Sequence, residues 1–354
     1  MTEKLVKLRG SFEQRGIDGL LITSKYNRRY MTNFTGSAGV VVISKEKAVF
    51  ITDFRYIEQA TKQTEGFEIV KHTGPIAKEI ASVVEQLGIK ALGFEEQAIT
   101  YADFSTYQKE ISAQLVPVSG LVENLRLIKT REEIKILKEA AKLTDEAFNH
   151  ILSYLKPGVT ELEVSNELEF YMRKHGATSS SFDTIVASGY RSALPHGAAS
   201  EKVIKEGEFV TLDFGAYYKG YCSDITRTVA VGDVSDELKN IYDIVLKAQL
   251  RSVDGIKKGI TGVQADALAR DYITEHGYGE YFGHSTGHGI GLEVHEGPAL
   301  STRSATVLEP GMVVTVEPGI YVPNVGGVRI EDDLLITDEG NENLTYAPKE
   351  LIIL

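Results

Sequence analysis

Cysteine, tryptophan and long apolar runs are scarce or missing in this chain of 354 residues. With a single cysteine, Cys222, the chain cannot form an intrachain disulfide or a zinc site built from several thiolates. No apolar run approaches the roughly 18 residues that a membrane-spanning helix needs. The amino-terminal segment is too rich in charge for a secretory signal peptide. These absences predict a soluble protein of a reducing, cytoplasmic compartment.

The balance of charge is acidic. Lysine and arginine together number 38 and aspartate and glutamate 50, which gives a formal net charge of −12. An excess of acid argues against a nucleic-acid partner and against binding to an anionic membrane surface. Hydrophobic residues make up 42% and charged residues 25%, as in ordinary globular proteins. The length suggests roughly two domains.

The first third of the chain alternates helical and strand-like patterns. Apolar spacing predicts a helix over 2–16 and another over 76–88, the second ended by a glycine. Short runs rich in valine and isoleucine predict buried strands over 19–23, 39–43 and 48–52. This alternation predicts an α/β domain.

A change of pattern follows. Residues 126–156 have long helical periodicity with mixed charge, and Thr130 followed by Glu133 fits a capping box at its start. We therefore predict two domains, 1–125 and 126–354. Further helices are predicted over 161–176, 236–257 and 262–276.

The second domain contains an internal similarity. The segment GEFVTLDFGAY (207–217) aligns with GMVVTVEPGIY (311–321), and five of the eleven positions are identical. Asp213 in the first copy aligns with Glu317 in the second. One repeat of this kind is too little for a solenoid. It predicts two similar half-domains that face each other and present acids to a shared centre.

Four acids lie in or beside strand-like apolar runs: Asp213, Asp224, Glu317 and Glu331. Any one of them alone is readily explained as a strand-end residue that faces solvent. Together they are harder to explain in that way, because unpaired carboxylates are expensive to bury. Two divalent cations would neutralise the four negative charges.

Histidines support a metal site in the same part of the chain. His284, His288 and His295 fall within the glycine-rich segment 282–297, and His196 precedes them. Carboxylate oxygens with an imidazole suit Mn(II), Co(II) or Zn(II) better than copper or iron–sulfur chemistry. Two such cations about 3.5–4 Å apart lower the pKa of a shared water. The pattern therefore indicates a hydrolase.

Two other motifs in the same segment would indicate a different kind of hydrolase. The segment GHSTG (283–287) matches a serine-hydrolase nucleophile elbow, which needs a helix after the serine and a later histidine. The sequence after Ser285 is too glycine-rich for a helix, and no histidine occurs after His295. His284 and His288 also have zincin spacing, but the required glutamate is missing. Neither motif fits.

Four blocks of the chain resemble the Xaa-Pro peptidases, the prolidase and aminopeptidase P members of the pita-bread metallopeptidases. The blocks are TLDFGAYYKGYCSDITRT, GHSTGHGIGLEVHE, VVTVEPGIY and GGVRIEDD. The amino-terminal segments NFTGSAG and ITDFRY are also similar to that family, although Asn33 and Phe54 replace its usual glycines. The resemblance implies a creatinase/prolidase-type α/β domain followed by a pita-bread domain of two pseudo-symmetric halves. It also implies a homodimer.

The resemblance assigns roles to residues that match the family motifs. It implies that two cations are held by five residues, with Asp224 and Glu331 bridging: Asp213, Asp224, His288, Glu317 and Glu331. Glu317 matches the acid/base of the family, and Arg329 matches an arginine that supports the acids from the same strand face as Glu331. Residues implied to contact substrate or to assist proton transfer are His196, His284, His295 and Tyr321.

The implied activity is hydrolysis of the bond before a proline in the second position of a peptide, by a hydroxide that bridges two cations. Mn(II) is expected, with Co(II) or Zn(II) as alternatives. The substrate is expected to be a dipeptide, as for a prolidase, and the alternative is an aminopeptidase P that takes longer peptides. A dipeptidase needs a cation for the proline carboxylate, and Arg303 is either that cation or a solvated loop residue. A more remote alternative is a non-catalytic peptide-binding module.

Overall fold

The computed structural model describes residues 3–354. They form two compact units, of which the first ends at Arg126 and the second spans Leu127–Leu354. Within residues 3–354, no helix combines the length and the apolar character needed to cross a membrane.

The first unit contains a mixed six-stranded sheet with the strand order β4-β3-β2-β1-β5-β6. The central strands are fully buried because their valine and isoleucine side chains pack on both faces. Strand β1 pairs antiparallel with β2 and parallel with β5. The strands are β1 (Gly19–Ile22), β2 (Val40–Ser44), β3 (Ala48–Thr52), β4 (Glu68–Lys71), β5 (Ala91–Glu95) and β6 (Gln114–Val118).

Helices of the first unit cover this sheet, and α4 buries its apolar side against it. The helices are α1 (Glu3–Gly10), α2 (Lys25–Thr32), α3 (Ile57–Gln63), α4 (Ile76–Gln86), α5 (Tyr101–Glu110) and α6 (Glu123–Leu127).

The prediction of one helix over 2–16 is wrong beyond Gly10. Residue 2 lies outside the described residues, and α1 ends at Gly10. The hydroxyl of Ser11 donates to the carbonyl of Leu8 at 2.6 Å, and the amide of Phe12 bonds to Arg9 in a tighter turn. Such local bonds compete with the helical pattern. Phe12 is still buried, which explains the helical spacing of apolar residues.

The second unit contains four long helices and several small sheets. Its helices are α7 (Arg131–Tyr154), α8 (Glu161–Lys174), α9 (Asp236–Gly255) and α10 (Gly262–Glu275). Two short 3₁₀ helices cover Gly189–Ala193 and Gly279–Tyr281. The strands are β7 (Ser179–Ser180), β8 (Ile185–Ser188), β9 (Glu208–Phe214), β10 (Ala216–Tyr218), β11 (Tyr221–Cys222), β12 (Ile225–Val231), β13 (Gly287–Gly289), β14 (Glu296–Leu300), β15 (Val313–Val316), β16 (Gly319–Val322), β17 (Gly326–Arg329), β18 (Asp332–Ile336) and β19 (Asn341–Asn343).

Two halves with the same layout make up this unit. In the first half, helices α7 and α8 pack together beside the antiparallel pair β9–β12. In the second half, α9 and α10 pack together beside the antiparallel pair β15–β18. Thr160 at the start of α8 bridges Val203, and Thr261 at the start of α10 bridges Val307 in the same antiparallel sense. The predicted fold class is confirmed.

Helix starts in this unit follow local rules. The capping box of Thr130 and Glu133 is confirmed, since each side chain bonds to the backbone of the other residue. The helix predicted within 126–156 accordingly begins directly after Thr130, as α7. Residues 128–130 are not helical, because Thr130 holds the extended conformation of an N-cap.

Candidate metal centre

A cavity of about 620 Å³ lies in the second unit, and residues of both halves line it. Most of the predicted site residues are among them, but Tyr321 and Arg303 are not. The predicted residues that line the cavity are His196, Asp213, Asp224, His284, His288, His295, Glu317, Arg329 and Glu331.

Paired strands bring the acids together. Asp213 lies near the end of β9 and Asp224 directly precedes β12, and these two strands are antiparallel neighbours. Glu317 directly follows β15 and Glu331 directly precedes β18, which are also antiparallel neighbours. Each half therefore presents two acids from one end of a strand pair.

The ligand atoms are close enough for one cation. Single ligand atoms of Asp224, His288 and Glu331 all lie within 4.8 Å of one another. Nε2 of His288 is 3.3 Å from Oε1 of Glu317 and 3.8 Å from Oδ2 of Asp224. Nε2 of the imidazole thus faces the acids.

The strand around His288 holds its ring in this direction. Its amide donates to Oγ1 of Thr315 at 3.1 Å, and Nδ1 lies 3.1 Å from the carbonyl oxygen of Gly289. A Cβ atom on Gly287 or on Gly289 would lie 1.9 Å from a backbone oxygen of a neighbouring strand. Glycine is required on both sides of His288 because these backbones approach so closely.

Burial shapes the electrostatics of the centre. It raises the pKa of Glu317 to about 8, and it raises those of Asp224 and Glu331 together with the repulsion between the acids. Burial lowers the pKa of His288 to about 4, so that its imidazole is neutral and able to bind a metal.

These residues fit divalent cations. Oδ1 of Asp224 is buried and accepts no hydrogen bond within residues 3–354. A buried carboxylate oxygen without a donor is costly unless a cation binds it. Carboxylates with one neutral imidazole are the donor set that Mn(II), Co(II) and Zn(II) accept.

Arg329 is held between the acids and a tyrosine. Nη2 of Arg329 donates to Oδ2 of Asp213 at 2.5 Å, and Nη1 donates to the hydroxyl of Tyr321 at 2.7 Å. The expectation that Arg329 and Glu331 share one strand is wrong. Arg329 ends β17, and Glu331 lies in the two-residue break before β18. Both side chains still line the cavity.

Tyr321 extends this chain of hydrogen bonds to His284. Its hydroxyl lies 2.8 Å from Nε2 of His284, and Nδ1 of His284 lies 2.8 Å from the carbonyl oxygen of Ser285. A carbonyl only accepts, so Nδ1 carries the proton and Nε2 accepts from Tyr321. Burial lowers the pKa of His284 to about 4 and raises that of Tyr321 to about 12.

His284 therefore has no free N–H group to offer a substrate. His295 differs, because its ring contacts that of His288 at 4.3 Å and no hydrogen bond from a described residue occupies its nitrogens. Of these two histidines, His295 is therefore the one whose ring can donate a hydrogen bond to a carbonyl oxygen of a substrate.

Two supporting residues were missed by the sequence. The hydroxyl of Thr226 donates to Glu331 at 2.6 Å and accepts from Nε of Arg329 at 3.1 Å. The buried carboxylate of Asp333 accepts from the amide of Asp224 at 3.1 Å. Both lie in the motifs that carry the acids, DITRT and RIEDD, so their place in the sequence indicated that they lie near the site.

A buried acid also holds the segment that carries His196. The carboxylate of Glu161 accepts from the amide of Ser188 at 2.8 Å and from the hydroxyl of Ser200 at 2.6 Å. It also forms an ion pair with Arg191. Because these contacts lie on both sides of His196, one carboxylate fixes both ends of that segment.

Arg303 lies on a different cavity. This second cavity, of about 510 Å³, has Arg303, Thr302 and Ser301 among its lining residues. Arg303 follows His295 by only eight residues, but it does not line the cavity that contains His295.

Comparison with protein families gives two matches. Residues 135–338 match the model of metallopeptidase family M24. Residues 4–128 match the model of the creatinase/prolidase N-terminal domain.

Individual relatives match along the whole chain. An Xaa-Pro dipeptidase from Pyrococcus horikoshii is 40% identical, over 99% of this chain and 99% of the relative. The structure of an Xaa-Pro dipeptidase from Bacillus anthracis is 69% identical with a TM-score of 0.99, and covers 99% of both chains. The structure of an X-Pro aminopeptidase from Thermotoga maritima is 41% identical with a TM-score of 0.91, over 98% of this chain and 100% of the other.

Proposed function

This chain belongs to metallopeptidase family M24, and from that premise we propose that it hydrolyses the bond between an amino-terminal residue and a following proline. The chain is a metal-dependent hydrolase of this family. We take Xaa-Pro dipeptides as its substrates, because two of the relatives above are Xaa-Pro dipeptidases.

One observation supports the proposal most directly. Ligand atoms of Asp224, His288 and Glu331 lie within 4.8 Å of one another, beside Asp213 and Glu317 in the same cavity. We propose that these five residues would hold two divalent cations, to which they would offer four carboxylates and one imidazole. We take Mn(II) as the native cation, with Co(II) and Zn(II) as alternatives.

When bound, such cations supply an activated water and polarise a carbonyl group. The residues of the chain do the remaining work. His295 donates a hydrogen bond to the oxygen of the carbonyl under attack, where negative charge develops. Arg329 and Tyr321 hold Asp213 and His284 in place.

Glu317 acts as the acid/base. Its buried carboxylate, 3.3 Å from Nε2 of His288, would accept a proton from the attacking water. We propose that it passes this proton to the proline nitrogen, which leaves as a secondary amine. His196 lies on the cavity wall in an exposed segment and contacts the proline end of the substrate.

A second candidate is an aminopeptidase that takes longer peptides. It is supported by the similarity to the Thermotoga maritima X-Pro aminopeptidase. We further propose a homodimer and a cytoplasmic location, both as the family resemblance and the composition indicate.

The test begins with removal of metal by a chelator and restoration of Mn(II). Cleavage of Ala-Pro, measured beside Ala-Pro-Ala, is expected. Asp224→Asn should lose bound metal and activity together, because it removes the negative charge of a buried carboxylate whose Oδ1 accepts no hydrogen bond.

Asp338→Asn is the matched control, since Asp338 is 81% exposed in an ion pair with Lys258. Normal activity and two bound cations in Asp224→Asn would refute the assignment of this ligand. If neither peptide is cut with Mn(II), Co(II) or Zn(II), the assignment of Xaa-Pro peptides as substrates is refuted.

A further inference from the structure

A second cavity shares a wall with the candidate metal centre. His284 and Ser285 line both the cavity of about 620 Å³ and the one of about 510 Å³. The other lining residues of the second cavity are Arg270, Gly283, Ser301, Thr302 and Arg303. The two cavities are therefore adjacent at these two residues.

The chemistry of the second cavity suits an anion. Hydroxyl groups of Ser285, Ser301 and Thr302 accompany two guanidinium groups. The guanidinium of Arg270 is already paired, because it donates hydrogen bonds of 2.6 and 2.8 Å to Asp266 and another to the carbonyl of His284.

Arg303 is different from Arg270. It is exposed, and its guanidinium forms no ion pair or hydrogen bond with a residue that the structure describes. Its backbone amide bonds to the hydroxyl of Ser301 at 3.4 Å. A guanidinium without a partner, next to hydroxyl donors, matches the geometry of a carboxylate.

The first cavity offers no equivalent group. Among the residues that line it, Arg329 is the only arginine or lysine. Arg329 is buried and already binds Asp213, Tyr321 and Thr226. A peptide carboxylate therefore finds an available guanidinium in the second cavity and not in the first.

We propose that the second cavity is a subsite for the carboxyl end of a peptide that continues beyond proline, and that Arg303 binds its terminal carboxylate. This inference rests on the proposed hydrolysis of Xaa-Pro bonds. It goes further than the second candidate function by naming Arg303 as the residue that selects a free carboxyl terminus in Xaa-Pro-Xaa tripeptides.

The experiment uses the Mn(II)-loaded enzyme and three peptides: Ala-Pro, Ala-Pro-Ala and Ala-Pro-Ala amide. In Arg303→Ala, kcat/KM for Ala-Pro-Ala is expected to fall about tenfold, mainly through KM, since a charge-assisted bond is lost. The kcat/KM values for Ala-Pro and for Ala-Pro-Ala amide should stay unchanged, because neither peptide places a carboxylate on Arg303.

Two variants control for charge. Arg303→Lys should retain part of the preference for Ala-Pro-Ala over its amide. Lys257→Ala removes an exposed cation that lines neither cavity and should leave all three values unchanged.

Other outcomes overturn the subsite in distinguishable ways. An equal fall for acid and amide means that Arg303 only supports its loop. A selective fall for Ala-Pro means that Arg303 binds the proline carboxylate of a dipeptide. Cleavage of all three peptides without any response to Arg303 overturns the subsite alone. Cleavage of none of them overturns the proposed function and the subsite together.

Discussion

The hydroxyl of Tyr321 lies 2.8 Å from Nε2 of His284 and donates to this nitrogen, because the proton of the ring is on Nδ1, against the carbonyl of Ser285. Arg329 donates to the same hydroxyl at 2.7 Å, so Tyr321 must turn its own proton toward His284. Hydrogen bonds through Tyr321 thereby connect the buried guanidinium of Arg329 to His284, which lines both cavities.

Tyr321→Phe removes this link while it keeps the ring. We expect kcat for Ala-Pro to fall on the order of tenfold, as when residues that orient a metal site are lost. Metal content, measured by elemental analysis, should be unchanged because Tyr321 is not among the ligands. Tyr346→Phe, at a ring that is 72% exposed, is the control. An unaltered kcat in Tyr321→Phe would show that the hydroxyl does not orient the site.

Removal of metal should expose the repulsion among the buried acids. Saturation at 100 times Kd adds about 2.7 kcal/mol to the free energy of unfolding, so a chelator should lower the Tm by several degrees.

The effect of Asp224→Asn on the melting temperature should have opposite signs without and with metal. In chelator at pH 8, the variant should melt above the wild type because one repelling buried carboxylate is gone. In Mn(II), it should melt below the wild type because a ligand is lost. Calorimetric scans in both buffers test this, with Asp338→Asn expected to follow the wild type throughout. Identical shifts in both buffers would contradict it.

Glu95 in the first unit should make stability depend on pH. Burial raises the pKa of Glu95, although the amide of Ser24 and the side chain of Asn27 offset part of the rise. A carboxyl group with a raised pKa binds its proton more tightly in the folded state. Its contribution to stability is thus complete below its unfolded pKa and is lost as the pH rises through the folded value.

Glu95→Gln should remove this dependence. The free energy of unfolding of the wild type, relative to that of the variant, should decrease as the pH rises from 4 to 7. Urea denaturation across this range measures the difference. Glu96→Gln, at the exposed neighbouring position, should give no such trend. A difference that rises with pH would contradict the assigned direction.

Glu161→Gln should affect both stability and substrate binding. The substitution removes the charge that pairs with Arg191, and breaking a buried ion pair costs about 3 kcal/mol or more. We also expect a higher KM for Ala-Pro, because the segment that carries His196 loses its anchor. Glu169→Gln, on the same helix but paired with the exposed Arg173, should change the free energy of unfolding by less than about 0.5 kcal/mol. An unchanged KM would leave Glu161 with a structural role alone.

Local signals made much of the fold predictable. Thr130 and Glu133 specify a helix start within four residues, and the buried strands of the first unit are runs of apolar residues. The helix predicted over 2–16 ends at Gly10, where the hydroxyl of Ser11 and the amide of Phe12 bond to carbonyls three residues back in a tighter turn. The capped start at Thr130 was predicted correctly, because a capping box depends only on residues three positions apart.

The site was predictable in part. Asp213 and Glu317 were found together because an internal similarity aligned them. Strand-like runs and a glycine-rich segment supplied the other acids and the histidines, and the family resemblance added Arg329 and Tyr321. The contact between Asp333 and Asp224 joins residues 109 positions apart, so no local pattern reveals it. The position of Arg303 depends on how its loop folds back beside His284, which is also a tertiary property.

The shared layout of the two halves has an evolutionary consequence. Asp213 and Asp224 come from the first half, and His288, Glu317 and Glu331 from the second, so neither half alone encloses the cavity. An ancestor with one half would have needed two identical chains to place acids on both sides. Gene duplication and fusion would have turned that contact into the interior of one polypeptide. The two aligned acids now have different neighbours, since Asp213 pairs with Arg329 and Glu317 lies beside the imidazole of His288.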